Sequence, residues 1–402
     1  MIILAIETSC DETALALVQA NGSVEQPEFK TIATSLFSQV KMHEEFGGVV
    51  PMLAKREHQK NLVPLFEKLL TEANIFKKTD TPISENMLAE LRVILSREEE
   101  LLERFLASVV HIEKPAIDAI AVTEGPGLEP ALWVGISFAR ALSLLWNIPV
   151  IPTNHMEGHI CSVLTENKKA EFPILALLIS GGHTELVLAE AWKKYTVLGQ
   201  TRDDAVGEAF DKVARILGLP YPGGPEISKL AEQERKQALG HSMSKLEMPT
   251  LWKLPRPMLH SNNFDFSCAG LKTAVLYMVQ KIGQENLTEK IKAEIAREFE
   301  DAITEVLITK TKTALEKFLP QTLIIGGGVI ANKHIRESFQ KMIEQDFPET
   351  KLLIPEISLA TDNAVMIGMA GYITFLADKK SAEVNQPIKA QGNLSFYQHF
   401  KY

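Results

Sequence analysis

The pattern of apolar and polar positions repeats one strand-turn-strand plan near the start of the chain and again near its middle. Residues 2–6 and 14–18 are short apolar runs joined by the polar segment 7–13, and residues 174–179 and 185–189 repeat this arrangement. Short apolar runs bounded by turn residues are typical of strands. We therefore predict two copies of one β-hairpin unit.

Longer segments carry their apolar residues at helical spacing. This spacing predicts helices over about residues 54–69, 133–146, 269–282 and 289–318. Residues of about 76–111 form a predicted helical insertion, whose second helix starts at a capping box made by Ser96 and Glu99. We interpret the apolar stripe of the insertion as packed on the body of the protein rather than as a partner surface.

Turns rich in glycine or polar residues follow three of the predicted strands. Gly181 and Gly182 follow the second hairpin's first strand, and three glycines at 326–328 follow another apolar run. A double glycine alone is typical of an ordinary turn. Such turns behind three strands, two of them in the repeated hairpins, favour a two-lobed nucleotide-binding α/β protein with its ligand between the lobes.

Composition narrows the class of protein further. The chain has 402 residues, 46% of them hydrophobic, which is typical of a globular protein with room for two domains. The formal net charge of −9 opposes autonomous binding of nucleic acid, unless basic residues cluster or a partner supplies them. Three cysteines without a CxxC pair fit a reducing compartment. We predict a cytoplasmic protein without a membrane segment.

His155 and His159 form the most distinctive local cluster. Two imidazoles four residues apart lie on one face of a helix, close enough to bind one metal ion. With 10 histidines in 402 residues, about 0.25 such pairs are expected by chance, so ordinary core or surface histidines remain the alternative. A zinc protease carries Glu directly after the first histidine, but Met156 stands there. A metal site is predicted and protease chemistry is not.

Two further carboxylates have both a structural and a functional interpretation. Asp211 belongs to an acidic helix start, where acids complement the helix dipole. It also lies on what should be the inner face, where its carboxylate is able to accept a hydrogen bond from a ligand hydroxyl or amine. Thr361 or Asp362 occupies the predicted cap position of an apolar helix, and capping alone would account for an aspartate there.

Eight ordered motifs between residue 1 and about residue 375 resemble one known family. They are IETSCDET, HMEGH, LISGGHTE, GEAFDK, YPGGP, FDFSCAGLKTA, GGGVIAN and TDNAVMIGMAG. Together they resemble the tRNA threonylcarbamoyladenosine transferase family, formerly described as O-sialoglycoprotein endopeptidases. The resemblance implies an α/β, two-lobed actin-like, Hsp70-like and sugar-kinase-like fold with duplicated lobes, which agrees with the repeated hairpin predicted above.

The resemblance also implies site residues. His155, His159 and Asp362 match the family's metal ligands, for one divalent ion per subunit, with Fe²⁺ favoured and Zn²⁺ as the alternative. Asp11 and Glu12 match the acidic segment implicated in catalysis. The residues that match the family's substrate contacts are Leu178, Ile179, Ser180, Gly181, Gly182, Asp211, Gly224 and Asn332.

The implied reaction transfers a threonylcarbamoyl group from threonylcarbamoyl-AMP to N6 of adenosine 37, next to the anticodon, in tRNAs that read codons beginning with adenine. The implied partners are tRNA, a paralogous dimer partner and a small ATPase. The insertion is longer than the connection expected in bacterial relatives, which affects the expected partner geometry.

We predict one lobe from residues 1–151 with about 372–402, including the insertion, and a second lobe from residues 152–371, with the active site between them. Two alternatives have other functions: an ATP-dependent phosphotransferase of the same fold and a non-catalytic scaffold that binds partners. The histidine pair disfavours a sugar kinase, which needs no imidazole-bound metal. Retention of His155, His159, Asp362 and the glycine turns disfavours the scaffold.

Overall fold

The computed structural model of the protein describes residues 1–164, 168–241, 252–384 and 387–395. The chain divides into two compact units. Unit 1 comprises Met1–Lys169 and Asp362–Ser395, and unit 2 comprises Ala170–Thr361. These units are defined by packing, whereas the lobes predicted from the sequence are defined by repeated topology, so the lobe boundaries stay a prediction.

Each unit contains a five-stranded sheet within the described residues. The strands of unit 1 are β1 Ile2–Glu7, β2 Glu12–Gly22, β3 Pro27–Ser38, β4 Ala119–Gly125 and β5 Val150–Asn154. Those of unit 2 are β6 Ile174–Ile179, β7 Thr184–Ala191, β8 Lys194–Gln200, β9 Thr322–Gly326 and β10 Lys351–Leu353.

The two sheets have the same topology. In unit 1 the order is β3-β2-β1-β4-β5, with β1, β2 and β3 antiparallel and β4 and β5 parallel to β1. In unit 2 the corresponding order is β8-β7-β6-β9-β10, with the same directions. The predicted duplication is therefore confirmed, and it extends beyond the hairpin to all five strands.

The helices of the described residues follow in chain order. They are α1 Val40–His43, α2 Pro51–Glu72, α3 Glu85–Ile94, α4 Glu99–Ala107, α5 Glu129–Trp146, α6 His155–Cys161, α7 Val206–Ile216, α8 Gly223–His241, α9 Ala269–Ile282, α10 Glu289–Phe318, α11 Lys333–Asp346, α12 Ile357–Ala360 and α13 Ala364–Ala377. None of them combines the length and apolar character needed to cross a membrane.

The central strands of unit 1 are covered by helices on both faces, which explains their continuous apolar sequence. Helix α13 packs so closely on the sheet that a Cβ at Gly368 would lie 2.8 Å from the Val18 side chain, and one at Gly371 would lie 2.6 Å from that of Ala121. On the helix layer that includes α2 and α5, the rings of Phe66 and Phe138 meet edge to face at 5.6 Å. Unit 1 thus has a dense core around β1.

The helical insertion is part of this core. Leu91, Leu95 and Phe105 are fully buried, and the ring of Phe105 meets that of Phe138 edge to face at 5.9 Å. The predicted packing of the apolar stripe on the body is confirmed, because burial of these side chains removes their apolar surface from water.

The predicted capping box of the insertion is wrong. The Ser96 hydroxyl donates to the carbonyl of Val93, and the residue at the N-cap of α4 is Glu98, whose side chain makes no capping hydrogen bond. The serine that caps a helix here is Ser84, which accepts from Met87 N–H at the start of α3. Glu98 instead turns inward, since its carboxylate is fully buried.

Candidate functional site

The two histidines predicted as metal ligands lie one turn apart on α6. Asn154 caps this helix by accepting hydrogen bonds from Met156 N–H and Glu157 N–H, at 2.8 and 3.2 Å. The rings of His155 and His159 meet edge to face, with 4.8 Å between their centroids. Both side chains are buried, so α6 presents two imidazoles on one face, away from water.

Asp362 lies just before α13, and its carboxylate is close to both histidines. Its Oδ1 lies 3.4 Å from His155 Nε2 and 3.2 Å from His159 Nε2. The prediction that Thr361 or Asp362 caps this helix is wrong, because the Asn363 side chain caps it by accepting from the backbone N–H three residues later, at 3.0 Å. Capping therefore does not account for the aspartate, and its carboxylate faces the imidazoles.

This donor set fits a divalent transition metal. The ligand atoms of His155, His159 and Asp362 all lie within 4.8 Å of one another. Bonds of about 2.0–2.2 Å to one ion place neighbouring donors about 3–3.5 Å apart, and both histidine–aspartate distances fall in that range. Among the described residues, no hydrogen-bond partner is found for His159 Nδ1, which is rare for a buried polar atom. Two imidazoles and one carboxylate suit iron or zinc.

The electrostatics of the cluster favour a bound cation. Burial raises the pKa of the Asp362 carboxyl, but His155 and His159 outweigh burial and hold that pKa well below its usual range. Burial lowers the pKa of His155, whereas the carboxylates of Asp362 and Glu7 outweigh it and raise that pKa well above the ordinary value. Ionised carboxylates that stabilise the protonated, cationic form of His155 also favour a metal ion in place of that proton.

Glu7 is a further candidate site residue, which the sequence analysis did not single out. It is fully buried at the end of β1, and its Oε2 lies 2.8 Å from His155 Nδ1 and 2.8 Å from Thr123 Oγ1. Its Oε1 accepts from Ser9 N–H at 2.5 Å. A carboxylate on the far nitrogen of a metal-ligating imidazole fixes the ring tautomer and leaves Nε2 free to ligate. The available signal was a carboxylate directly after a buried apolar strand.

Asp11 and Glu12 lie in the same unit and close to the cluster. Asp11 is buried, and Glu12 is the half-buried first residue of β2. Burial, then the charge of Asp362, then that of Asp11 raise the pKa of the Glu12 carboxyl well above its ordinary value. The structure therefore brings the predicted acidic pair into the electrostatic field of the predicted metal ligands.

The eight predicted substrate residues belong to unit 2, where four of them line a cavity of about 660 Å³. Gly181, Asp211, Gly224 and Asn332 line it. The other predicted contacts differ in position: Leu178 and Ile179 have fully buried side chains in β6, while Ser180 and Gly182 lie in the turn that follows. A volume of this size is typical of a small-molecule site.

The cavity wall exposes backbone rather than side chains at its glycines. A Cβ at Gly181 or Gly224 would meet no atom within 4 Å, so packing does not require glycine at either position. A ligand is consequently able to approach the main chain there. Asp211 Oδ1 accepts from Gly223 N–H at 2.7 Å. Burial raises the pKa of Asp211, although the amides of Gly223 and Gly224 oppose that shift.

Asn332 is engaged by the protein itself. Its Nδ2 donates to Ser228 Oγ at 2.7 Å and to Glu300 Oε1 at 2.6 Å, and its Oδ1 accepts from Ile335 N–H at the start of α11. Glu300 in turn pairs with Arg235, which also lines the cavity. The amide of Asn332 therefore forms part of a hydrogen-bonded polar wall, whose other members were not predicted from the sequence.

The duplicated five-stranded sheets have the arrangement expected of the actin-like, Hsp70-like and sugar-kinase-like class. Unit 1 carries a candidate metal centre and unit 2 a glycine-lined cavity. The chain belongs to the tRNA N6-adenosine threonylcarbamoyltransferase family, whose model matches residues 30–81 and 97–369. The unmatched residues between these ranges contain α3 of the insertion.

Relatives match along nearly the whole chain. It is 44% identical over 371 residues to the tRNA N6-adenosine threonylcarbamoyltransferase of Herminiimonas arsenicoxydans, covering 92% of this chain and 91% of the relative. It is 41% identical over 383 residues to that of Ralstonia pickettii, covering 94% and 92%. Among solved structures, it is similar to component A of the (R)-2-hydroxyglutaryl-CoA dehydratase of Acidaminococcus fermentans, with 11% identity, coverage of 95% and 99%, and a TM-score of 0.44.

Proposed function

We propose that this protein transfers the threonylcarbamoyl group of threonylcarbamoyl-AMP to N6 of adenosine 37 in tRNAs that read codons beginning with adenine. The bond between the carbamoyl carbon and the phosphate oxygen breaks, a bond from N6 to that carbon forms, N6 loses a proton, and AMP leaves. Family membership along more than nine-tenths of the chain carries this proposal, and the cluster of His155, His159 and Asp362 supports it.

The cavity of unit 2 is proposed to bind the AMP portion of the donor. Its volume of about 660 Å³ and its exposed glycine backbone support this assignment. Main-chain N–H groups near Gly181 and Gly224 are suited to an anionic phosphate, which prefers oriented amides. The inward carboxylate of Asp211 is suited to a ribose hydroxyl, since one of its oxygens is already held by Gly223.

His155, His159 and Asp362 are proposed to hold one divalent ion, with Fe²⁺ favoured and Zn²⁺ as the alternative. When bound, such an ion supplies Lewis-acid polarisation of the carbamoyl group. Glu7 keeps His155 in the tautomer whose Nε2 is free, and burial of both histidines limits the access of water, which would hydrolyse the mixed anhydride.

Glu12 and Asp11 are proposed to receive the proton of the attacking amine. A general base works best when its pKa lies near the working pH, and the raised pKa of Glu12 moves it in that direction. Burial is the largest cause of this raised pKa, and the charge of the neighbouring Asp11 and a hydrogen bond with it add to the shift.

The proposed partners are tRNA, a paralogous dimer partner and a small ATPase, and the proposed location is the cytoplasm. The net charge of −9 supports the need for partners, because a chain of this charge attracts RNA poorly by itself. Partners with a basic surface would supply the positive charge that attracts the RNA.

Nucleoside mass spectrometry tests the proposal directly. Unmodified tRNA that reads an adenine-first codon is incubated with prepared threonylcarbamoyl-AMP, purified partners, and either the wild-type protein or the His155→Ala variant. The exposed His111 provides a matched control, His111→Ala, in the same unit. We expect threonylcarbamoyladenosine with the wild type and His111→Ala, and loss of both product and bound metal with His155→Ala. Absence of product with wild type and bound partners would refute the function, and unchanged activity of His155→Ala would refute the metal role.

A further inference from the structure

A buried histidine outside the candidate metal cluster contacts the residues on either side of Asp11 and Glu12. His58, on α2, is fully buried. Its Nε2 lies 3.0 Å from the carbonyl oxygen of Cys10, and its Nδ1 lies 2.8 Å from Thr13 Oγ1. These two partners directly flank Asp11 and Glu12, so one imidazole spans both ends of the acidic pair.

The partners fix which tautomer is present. A carbonyl oxygen only accepts hydrogen bonds, so His58 Nε2 must carry the proton and donate to Cys10. Nδ1 then accepts from the Thr13 hydroxyl, and Gln39 Nε2 lies 3.4 Å from the same nitrogen. Burial also lowers the pKa of His58 to about 4, so the ring is neutral near pH 7, with both nitrogens in contact with a partner.

Other contacts hold the same segment on its remaining sides. Gln39 N–H donates to the carbonyl of Asp11 at 3.0 Å, and Leu128 N–H donates to that of Ser9 at 2.7 Å. Glu7 and Ser9 also meet His155, at 2.8 and 3.2 Å from its Nδ1. The segment between β1 and β2 is thus clamped between one histidine on the metal side and another on α2.

Burying the two ring nitrogens of His58 costs free energy unless both form hydrogen bonds. An apolar side chain of similar size would fill the same space without that cost. The two shortest contacts of the ring are to the residues that flank Asp11 and Glu12, one to the Cys10 carbonyl and one to the Thr13 hydroxyl, whereas Gln39 is a longer third contact. The arrangement therefore specifies the path of this segment rather than adding to general packing.

We propose that His58 is a positioning residue for the transfer reaction, which holds Cys10 and Thr13 so that Asp11 and Glu12 face the attacking amine. The inference rests on the proposed function, in which these carboxylates receive the proton. It assigns to α2 a direct part in the geometry of the site.

The test compares two amides at one position. In His58→Gln the side-chain NH₂ group reaches the place of Nε2 and is able to donate to Cys10, whereas in His58→Asn the amide reaches only the place of Nδ1. Single-turnover transfer rates, KM for threonylcarbamoyl-AMP and metal content are measured for both. We expect His58→Asn to lose about 10- to 100-fold in rate, as for a misplaced catalytic group, with KM and metal content within about twofold. His58→Gln should recover to within about fivefold of the wild type.

A double-mutant cycle separates positioning from a structural role. If His58 acts through the carboxylate, His58→Asn has little further effect on an enzyme that already carries Glu12→Gln. An equal loss of rate in both backgrounds, or no rescue by His58→Gln, would overturn the inference. If His58→Asn folds poorly, Thr13→Val replaces it in the double-mutant cycle. This variant removes the hydroxyl that contacts His58 Nδ1 and keeps the shape of the side chain.

The failure of this inference differs from that of the proposed function. A wild type that makes no product refutes the function, and full activity of both Asp11→Asn and Glu12→Gln refutes the role of the carboxylates. A rate that depends on Glu12 but not on His58 refutes positioning alone.

Discussion

The hydrogen bond between Glu7 and His155 predicts that metal affinity depends on a residue that does not touch the metal. In Glu7→Gln the shape is kept, and the new amide oxygen is able to accept from Ser9 N–H as Glu7 Oε1 does. The amide nitrogen then faces His155 Nδ1, where Glu7 Oε2 now lies at 2.8 Å. Because an NH₂ group donates, it favours the tautomer with its proton on Nε2, which is unable to ligate a metal.

The size of the effect follows from the role of such carboxylates. Loss of an outer partner of a metal-ligating histidine typically costs 10- to 100-fold in metal affinity, or about 1.4–2.8 kcal/mol. The carboxylate is fully buried and accepts from two further groups, so water does not readily replace it. We expect the effect of Glu7→Gln to lie toward the upper end of this range.

Titration of metal-free protein with Co²⁺, followed by visible absorption, measures the affinity without requiring activity. Thr123→Val is the matched control, because it removes a different partner of Glu7 Oε2 and leaves the bond to His155 in place. We expect less than about a threefold change for this control. A Glu7→Gln protein that binds Co²⁺ within threefold of the wild type would show that Glu7 does not orient the ligand.

Three further predictions concern the cavity, pH and the insertion. Gly181→Ala should leave the free energy of unfolding within about 0.5 kcal/mol of the wild type, because a Cβ there meets only the open cavity. The same methyl group should weaken AMP binding about tenfold. Gly207→Ala is the contrast, since its Cβ would lie 2.7 Å from the Ser180 carbonyl oxygen and should lower the free energy of unfolding by about 1–3 kcal/mol. Burial lowers the pKa of His58 to about 4, despite the nearby Cys10 carbonyl and the charges of Glu7 and Glu57. As pH falls below about 6.5, the unfolded chain therefore binds a proton at His58 before the folded protein does. This difference should lower the free energy of unfolding by roughly 2 kcal/mol between pH 7.5 and 5. In urea unfolding measurements, His58→Gln should lack this part of the pH dependence. Glu98→Ala should lower the free energy of unfolding by about 1–3 kcal/mol, because Gln59 Nε2 and Lys55 Nζ lose the carboxylate that they contact at 2.7 and 3.1 Å.

Each of these has an outcome that contradicts it. Equal AMP affinity for Gly181→Ala and the wild type would exclude that turn from the ligand site. A His58→Gln protein that loses stability with pH as steeply as the wild type would show that other groups control the dependence. The exposed Glu99 supplies the control for the insertion, and an equal effect of Glu99→Ala would show that burial of Glu98 is not the cause.

Periodicity was sufficient to predict much of the fold. The helices expected over residues 269–282 and 289–318 have those bounds in the structure, and the repeated hairpins became two sheets of one topology. These features are encoded locally, by which positions along a strand or helix are apolar. Helix starts were predicted less well: Asn363 caps α13 in place of the two residues before it, because several neighbouring polar residues compete for one cap.

Partners that are distant in sequence could not be predicted in this way. His155 and His159 were found because their spacing of four is a local signal, and Asp362 because of the family resemblance. Glu7 lies 148 residues from the histidine that it contacts, and Asn332 lies 104 residues from Ser228. Such pairs are set by how strands and helices pack, which no local pattern describes.

The order of the chain has a consequence for how the metal centre is made. His159 and Asp362 both belong to unit 1, yet residues 170–361 of unit 2 lie between them in sequence. At about 5–20 residues per second, a ribosome needs on the order of 10–40 s to synthesise the roughly 200 residues that separate them. The two imidazoles therefore leave the ribosome well before their carboxylate, and a nascent chain has only an incomplete ligand set. An ion held by all three candidate ligands would therefore bind only after the second sheet has been synthesised.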